Sequence, residues 1–478
     1  MSSTICCSKR ACAAFNNQRI NRRRFDQQLR HGYHRSMQAA WRKPIVKGVS
    51  GDWYTLAALP LWLAELAVII TGGLTEGIVD DFRIFYAAGY VVAHGGSPYH
   101  YAAMHATPTA PVFGNPGSHL LFPYLPFVAW IFAPLTVLKP DVAYVVWGTV
   151  LFVLISVTTY LWVRRHSKRW AAIAVCVTVV SMPSVINFLL GQTSILIAAA
   201  VIGAILTAQS RHYTWAGALS TLAALIKPQD AWLLVPLIWV TATTWSELKA
   251  AITAQVVTAL LLLTLPMIAN HRILLDWFHF AKVYASTPNS GSINGIGIAS
   301  SLAGWVPKAL LLDPILAIVG LATVSLLTFK LKQSSRLMQL PRNRRVGWII
   351  LAPLTLWLLW TPYANPQDFI LLLPFIVFVI AAPSIPARRT TVTLLLVAVL
   401  LIPAFQQVVI HHINTNTNLT FTALLIALYV GAKAYKGEVN SPARAQIGPE
   451  STVITPGDNY EIASREPGPA SNGKTTTS

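Results

Sequence analysis

The chain has 478 residues, of which 54% are hydrophobic and 11% are charged, and its formal net charge is +19. An average soluble domain carries roughly 25% charged residues, so this composition excludes a soluble protein with an ordinary charged surface. The positive charge does not indicate nucleic-acid binding, because the basic residues concentrate in the N-terminal segment and in short loops between apolar runs.

Residues 1–50 form a polar and basic segment ahead of the first apolar run. They contain eleven Lys or Arg residues, and Asp26 is the only acid. Basic residues next to membrane spans remain on the cytoplasmic side, so we expect this segment to be cytoplasmic and disordered, without a signal peptide. A DNA-binding tail and a meaningless extension from a misassigned start codon are the alternatives.

Long apolar runs dominate the rest of the chain, and a bilayer core is crossed by about 20 helical residues. The candidate spans are 55–73, 121–138, 142–163, 170–188, 193–208, 213–226, 229–243, 250–268, 313–329, 346–362, 368–383, 390–406 and 417–433. Backbone groups in lipid must be satisfied within their own segment, so each run is expected to be a helix. The predicted fold class is all-α, a multispanning transmembrane helical bundle.

The basic clusters 164–169, 330–345 and 388–389 should all be cytoplasmic. That assignment leaves segment 121–138 with no net crossing, and its three prolines suit a broken or re-entrant helix. We therefore expect about twelve crossings, both termini in the cytoplasm, and an interfacial or re-entrant first outer loop at 74–120. Thirteen spans, with one basic loop on the wrong side, is the alternative.

Three regions follow from this pattern. They are a cytoplasmic N-terminal segment at 1–50, a transmembrane domain at 51–434 and a disordered cytoplasmic tail at 435–478, which is rich in Pro, Gly, Ser and Thr. The predicted outer segments hold nearly every polar cluster, although the sides were assigned from Lys and Arg alone. We therefore expect one cavity that faces outward.

The first outer loop begins with two adjacent carboxylates, Asp80 and Asp81, followed by an aromatic-rich segment that includes Tyr86. A carboxylate at the membrane surface can take a proton from a hydroxyl group. It can equally cap the helix that follows. The residues by themselves leave both interpretations open.

Further polar residues recur on the predicted outer side. Gln192 either binds a polar ligand or caps a helix, and Lys227 either binds a phosphate or extends its charged end toward water. The large outer loop and the last polar cluster add Arg272, Lys282, Asn289 and Asp368. Glu65, in the middle of the first span, is either functional or paired inside the bundle.

Five short motifs occur in one order along residues 55–430. They are Asp81 to Tyr86 with Gly95 to Tyr99, Tyr124-Leu125-Pro126, Asn187 with Gly191 and Gln192, Ile226-Lys227-Pro228, and Thr361-Pro362-Tyr363 with Asp368. In this order and spacing they resemble glycosyltransferase family 87, membrane proteins of the GT-C class similar to polyprenyl-phosphate-mannose-dependent α-mannosyltransferases. The chain departs from the family where Ser194 replaces a frequent Asn, and at Asn365 and Gln367.

The resemblance implies transfer of a hexose, mannose in the family's manner, from a polyprenyl phosphate to an extracytoplasmic glycan or lipid acceptor, with inversion. It places Asp81 at the general-base position, with Asp80 as cap or support. Lys227 and one of Arg272 or Lys282 would hold the donor phosphate. Gln192, Tyr86, Asn289 and Asp368 are the candidate substrate-binding residues.

The same resemblance implies a multi-pass protein of the plasma membrane that uses no cofactor or metal and binds membrane lipid but no nucleic acid. Two other interpretations stay open. A secondary transporter would place ionisable residues near the midplane and often contains repeats, whereas no repeat is visible here. A catalytically inactive homologue that binds lipid-linked sugars is the second.

Overall fold

The computed structural model describes residues 60–71 in part, 80–109, 122–165, 168–285, 313–361, 366–380, 426–436 and 439. Within these ranges the regular elements are helices and no strand occurs, which confirms the all-α class for this part of the chain. The predicted N-terminal segment, the span at 390–406 and residues 440–478 lie outside the described ranges.

The helices are numbered in chain order. They are α1 (Asp80–Ala93), α2 (Tyr101–His105), α3 (Pro126–Phe132), α4 (Pro140–Arg164), α5 (Lys168–Val179), α6 (Met182–Leu190), α7 (Ser194–Gln209), α8 (Tyr213–Ile226), α9 (Pro228–Ala231), α10 (Leu234–Thr241), α11 (Trp245–Ala269), α12 (Ile273–Ala285), α13 (Asp313–Gln333), α14 (Ser335–Gln339), α15 (Arg342–Trp360) and α16 (Leu373–Ile380). Two 3-10 helices, Ala133–Val137 and Pro366–Leu372, follow α3 and precede α16.

Two of the described helices, α4 and α11, are long and apolar enough to cross a bilayer, with 25 residues each. At 1.5 Å per residue, each spans roughly 37 Å, which exceeds the roughly 30 Å of a hydrocarbon core. The described part of the chain thus contains two clear candidate spans, and the total of about twelve crossings stays a prediction.

Three predicted spans are interrupted in the structure. The segment 170–188 divides into α5 and α6, 229–243 consists of the short helix α9 and α10, and 368–383 begins as a 3-10 helix. Proline lies in the first turn of α6 and of α9, where its missing N–H leaves no helical bond unmade.

Segment 121–138 contains α3 and the 3-10 turn that follows it. Together they cover Pro126–Val137, about 18 Å at the rise of an α-helix. This is shorter than the roughly 30 Å of a hydrocarbon core, which favours the broken element over a complete span.

Helix α1, from the first outer loop, is packed into the protein rather than lying open at the interface. The Phe82 and Phe85 side chains are buried, and the Phe85 ring stacks on that of Phe132 with centroids 4.8 Å apart. The aromatic residues that suggested an interfacial segment are therefore core residues of this fold.

Helix α7 lies at the centre of the bundle. Thirteen of its residues are buried, and it packs against α4, α8 and α15. A helix that is apolar on all sides needs such a position. Its first residue, Ser194, is consequently buried at the helix end where the polar motifs meet.

Candidate active site

Polar side chains from separate segments converge at the N-terminal end of α7, in two layers. The accessible layer consists of Asp81, Tyr124 and Gln192, and the buried layer consists of Ser194, Lys227, Asp230 and Asp368. The Tyr124 phenol connects the layers, because it lies within electrostatic range of Asp81 and of all three charged groups of the buried layer.

In the accessible layer, Gln192 orients Asp81. The Gln192 Nε2 atom donates a hydrogen bond of 2.6 Å to Oδ2 of Asp81. The Tyr124 hydroxyl donates to Oε1 of Gln192 at 3.4 Å. Asp81 and Tyr124 are half-buried, whereas Gln192 is only 6% exposed, so a substrate can approach the Asp81 and Tyr124 side chains of this layer.

The position of Gln192 results from the way α6 ends. Gly191 adopts a φ of +66°, a left-handed conformation that favours glycine, and the Gln192 N–H then donates back to the Asn187 carbonyl at 2.9 Å. A Cβ on Gly191 would lie 2.7 Å from Cβ of Phe82. The Trp147 indole N–H donates to the Gly191 carbonyl at 2.9 Å. The spacing Asn-x-x-x-Gly-Gln therefore corresponds to a helix end that aims the Gln192 amide at α1.

The buried layer is an ion cluster. Lys227 Nζ lies 2.5 Å from Oδ1 of Asp368 and 3.1 Å from Oδ2 of Asp230. The Ser194 hydroxyl donates to the same Asp368 oxygen at 2.8 Å. Lys227 is 4% exposed and both carboxylates are inaccessible to solvent. With all three groups ionised, the cluster has a formal charge of −1.

Lys227 stays protonated in this cluster. Burial lowers the pKa of the Lys227 ammonium, but the nearby carboxylates of Asp230 and Asp368 outweigh that effect and raise the pKa above its ordinary value. The lysine therefore carries a positive charge that two carboxylates already oppose.

The backbone around Lys227 is held by α15. The Gln229 carbonyl accepts a hydrogen bond of 2.8 Å from the Trp357 indole N–H and one of 3.2 Å from the Thr361 hydroxyl. The residue that follows the Ile226-Lys227-Pro228 motif thus contacts the first residue of the Thr361-Pro362-Tyr363 motif. Residues 362–365 lie outside the described ranges.

The structure brings together four of the residues singled out in the sequence, namely Asp81, Gln192, Lys227 and Asp368. Tyr86 lies elsewhere, since its hydroxyl donates to the Leu138 carbonyl at 2.8 Å and so anchors the start of α4. The remaining candidates are outside both layers or outside the described residues. Arg272 and Lys282 are exposed near the two ends of α12, Asp80 is described only as the first residue of α1, and Asn289 and Glu65 are not described.

Asp230 is the charged member of the cluster that the sequence interpretation missed. It follows Lys227 by three positions and interrupts an apolar run, which was a usable signal. Ser194 was noted only as a departure from the family pattern, and Tyr124 only as part of a motif. The partners of Tyr124 and Ser194 lie 68 and 174 positions away along the chain, so neither contact has a local signal.

The arrangement suits proton transfer and the binding of hydroxyl groups. A half-accessible carboxylate, oriented by an amide, can accept a proton from a hydroxyl group. Among the residues that the structure describes, no three His, Cys, Asp or Glu side chains are placed to share a metal ion.

These features define a helical membrane protein with a polar site enclosed among its helices. The chain belongs to glycosyltransferase family 87, whose family model matches residues 122–360, half of its length. It is therefore a glycosyltransferase, with a sugar donor and an acceptor as substrates. The matched range includes Tyr124, Gln192, Lys227 and Asp230, while Asp81 precedes it and Asp368 follows it. No curated protein matches the chain.

Proposed function

We propose that the protein transfers a hexose, and specifically mannose, from a polyprenyl phosphate to an extracytoplasmic glycan or glycolipid, with inversion at the anomeric carbon. The observation that supports this most is the state of Asp81, a half-buried carboxylate held at 2.6 Å by an uncharged donor, the Gln192 amide. Asp81 is half-buried, whereas both acids of the buried layer are inaccessible to solvent. It is the better general base.

In the proposed step, the acceptor hydroxyl oxygen forms a bond to the anomeric carbon. The bond between that carbon and the phosphate oxygen breaks, and its electron pair leaves with the polyprenyl phosphate. The hydroxyl proton moves to the Asp81 carboxylate. Because attack and departure occur on opposite faces, a single displacement inverts the configuration.

The leaving phosphate needs a cation, since negative charge develops there. Lys227, Arg272 and Lys282 are the candidates from sequence. Lys227 is buried and already opposed by Asp230 and Asp368. We therefore assign the direct phosphate contact to Arg272 or Lys282. Lys227 instead holds the two carboxylates of the buried layer in place.

The proposed substrate contacts divide in the same way. Gln192 positions the base. Asp368 stabilises the buried layer through its contacts with Lys227 and Ser194. Tyr86 contributes by holding α1 against the chain ahead of α4. A contact between Asn289 and the acceptor stays a prediction.

We propose a plasma-membrane location, with about twelve crossings and the site on the extracytoplasmic side. Segments 189–192 and 227–229 were assigned to the outer side from Lys and Arg alone. Together with Asp81 from the first outer loop, they contribute residues to one site in the described structure. That agreement supports a common outer face.

The test is a transfer assay with purified protein in lipid nanodiscs. Three radiolabelled donors are compared: polyprenyl-phosphate mannose, polyprenyl-phosphate glucose and a nucleotide-linked mannose. The acceptors are glycolipids extracted from a deletion strain. Their mass spectrum should show one hexose fewer than that of the parent strain. We expect transfer from polyprenyl-phosphate mannose, and transfer from the nucleotide sugar alone would contradict the proposal.

A further inference from the structure

An apolar groove separates α10 from α13 on the outside of the described bundle. It has a volume of about 650 Å³, its floor is formed by Leu237 and Val324, and Leu321 and Phe329 are exposed at its edge. An exposed apolar groove on a membrane protein faces lipid, so the question is which lipid it fits.

The two ends of the groove differ in chemistry. Trp232 lines one end and Lys332 the other, where the Lys332 ammonium donates to the Val240 carbonyl at 3.1 Å. A lysine ammonium has three donors, so this bond leaves capacity for a further acceptor. Lys332 also belongs to segment 330–345, which contains six basic residues and no acid. This end is therefore suited to an anion.

The groove has the length of one membrane leaflet. The eleven helical steps from Leu321 to Lys332 advance about 16 Å at 1.5 Å per residue. Half of a hydrocarbon core of roughly 30 Å is about 15 Å. With Lys332 at headgroup level, the groove accommodates one lipid chain as far as the midplane.

We infer that this groove binds one anionic phospholipid of the cytoplasmic leaflet, with an acyl chain along α13 and the headgroup phosphate at Lys332. The choice of leaflet rests on the proposed topology, in which the basic segment 330–345 is cytoplasmic. The donor lipid is not the expected occupant, because its phosphate belongs at the opposite, extracytoplasmic end.

Such a lipid would contact the part of the bundle that carries the ion cluster. The Trp232 ring lies at the end of the groove opposite Lys332. It is edge-on to the Trp357 ring, with the two ring centroids 5.6 Å apart. Trp357 in turn binds the Gln229 carbonyl, next to Asp230. A bound chain therefore packs against the segment that places Lys227 and Asp230, and its loss should loosen that segment.

Native mass spectrometry of the purified, delipidated protein tests the inference. The probes are phosphatidylglycerol and phosphatidylcholine with identical acyl chains, and polyprenyl phosphate is the competitor. Lys332→Gln removes the proposed headgroup contact and Ser325→Trp fills the groove. Lys330→Gln is the matched control, since it removes an exposed charge two positions away that does not line the groove.

We expect retention of one phosphatidylglycerol in preference to phosphatidylcholine. Lys332→Gln should weaken that retention about fivefold, the effect of one basic residue near an anionic headgroup, and Lys330→Gln should change it little. Ser325→Trp should lower the occupancy of either lipid. Equal retention of the two lipids, equal effects of the two lysine variants, or displacement by polyprenyl phosphate would each overturn the inference. Because binding is measured without sugar transfer, these outcomes are independent of the proposed activity.

Discussion

The side-chain amide of Gln192 donates a 2.6 Å hydrogen bond to the carboxylate of Asp81, 111 positions earlier in the chain. The bond joins two helix ends, the left-handed cap of α6 and the first turn of α1. Because the amide is uncharged, this bond orients the carboxylate without neutralising it, whereas a lysine in the same place would neutralise it. Asp81 is half-buried, whereas Asp230 and Asp368 are inaccessible to solvent and lie against the Lys227 ammonium.

The first prediction concerns the base. Asp81→Asn should abolish transfer, because an amide cannot accept the acceptor proton, and the loss of a general base typically costs about 10²–10⁴-fold in rate. Asp80→Asn is the matched control and should retain most activity, since neighbouring helical residues point about 100° apart. The measurement is the initial rate of transfer at equal amounts of folded protein. An inactive Asp80→Asn variant would move the base by one residue. Two variants with the native rate would show that neither carboxylate is the base, and absence of transfer by the native chain itself would favour the inactive-homologue interpretation.

The second prediction concerns the buried ion cluster. Lys227→Met removes the cation that lies against both Asp230 and Asp368, and breaking a buried pair costs about 3–5 kcal/mol. Asp230→Asn should be tolerated far better, because it leaves Lys227 and Asp368 as a balanced pair. Thermal unfolding in detergent measures both. A triple variant with Lys227→Met, Asp230→Asn and Asp368→Asn should recover part of the loss, and equal unfolding of the two single variants would contradict the charge argument.

The third prediction assigns the donor phosphate. Arg272→Gln or Lys282→Gln should raise the KM for the lipid-linked donor and weaken inhibition by free polyprenyl phosphate in parallel, because product and donor share the phosphate. Lys227→Arg should change this inhibition less, although its altered geometry lowers kcat. Steady-state inhibition separates the two roles. If Lys227→Arg alone weakens inhibition, Lys227 is the phosphate ligand that the sequence predicted.

The fourth prediction compares two glycines that both have positive φ. Gly191 has a φ of +66° and lies against Phe82, whereas Gly95 has a φ of +74° and faces open space. Gly95→Ala should cost only the left-handed conformation, roughly 1–2 kcal/mol. Gly191→Ala adds a collision, and overpacking typically costs a further 1–3 kcal/mol or so. The Gly191 variant should therefore have the lower Tm and, because the cap aims Gln192, the lower activity.

The fifth prediction concerns topology. In a variant without the natural cysteines, Ala102→Cys should react with a membrane-impermeant thiol reagent on intact cells. Ser335→Cys, in the basic segment, should react only after permeabilisation. Both positions are exposed in the structure, so a difference in labelling reports sidedness rather than burial. Labelling in the opposite order would invert the proposed orientation and place the site in the cytoplasm.

Several features of this protein follow from the sequence by itself. Composition and long apolar runs predict a helical membrane protein, and the order of short motifs identifies the family that the match to residues 122–360 confirms. Helices α7, α8 and α13 begin within a residue of the predicted boundaries. Such properties are local, because the hydropathy and the helix signals of a segment are contained in that segment.

The organisation of the site is decided by tertiary structure. Lys227 was expected at the rim of a cavity, yet it is buried between Asp230 and Asp368, and the latter is 141 positions away. Tyr86 and Gln192 looked alike as polar motif residues, yet one binds the backbone ahead of α4 and the other orients Asp81. A polar residue at a helix end has the same local signal whether it caps, anchors or catalyses. Only the packing of the central helix α7 against its neighbours determines which charges meet and which carboxylate remains accessible.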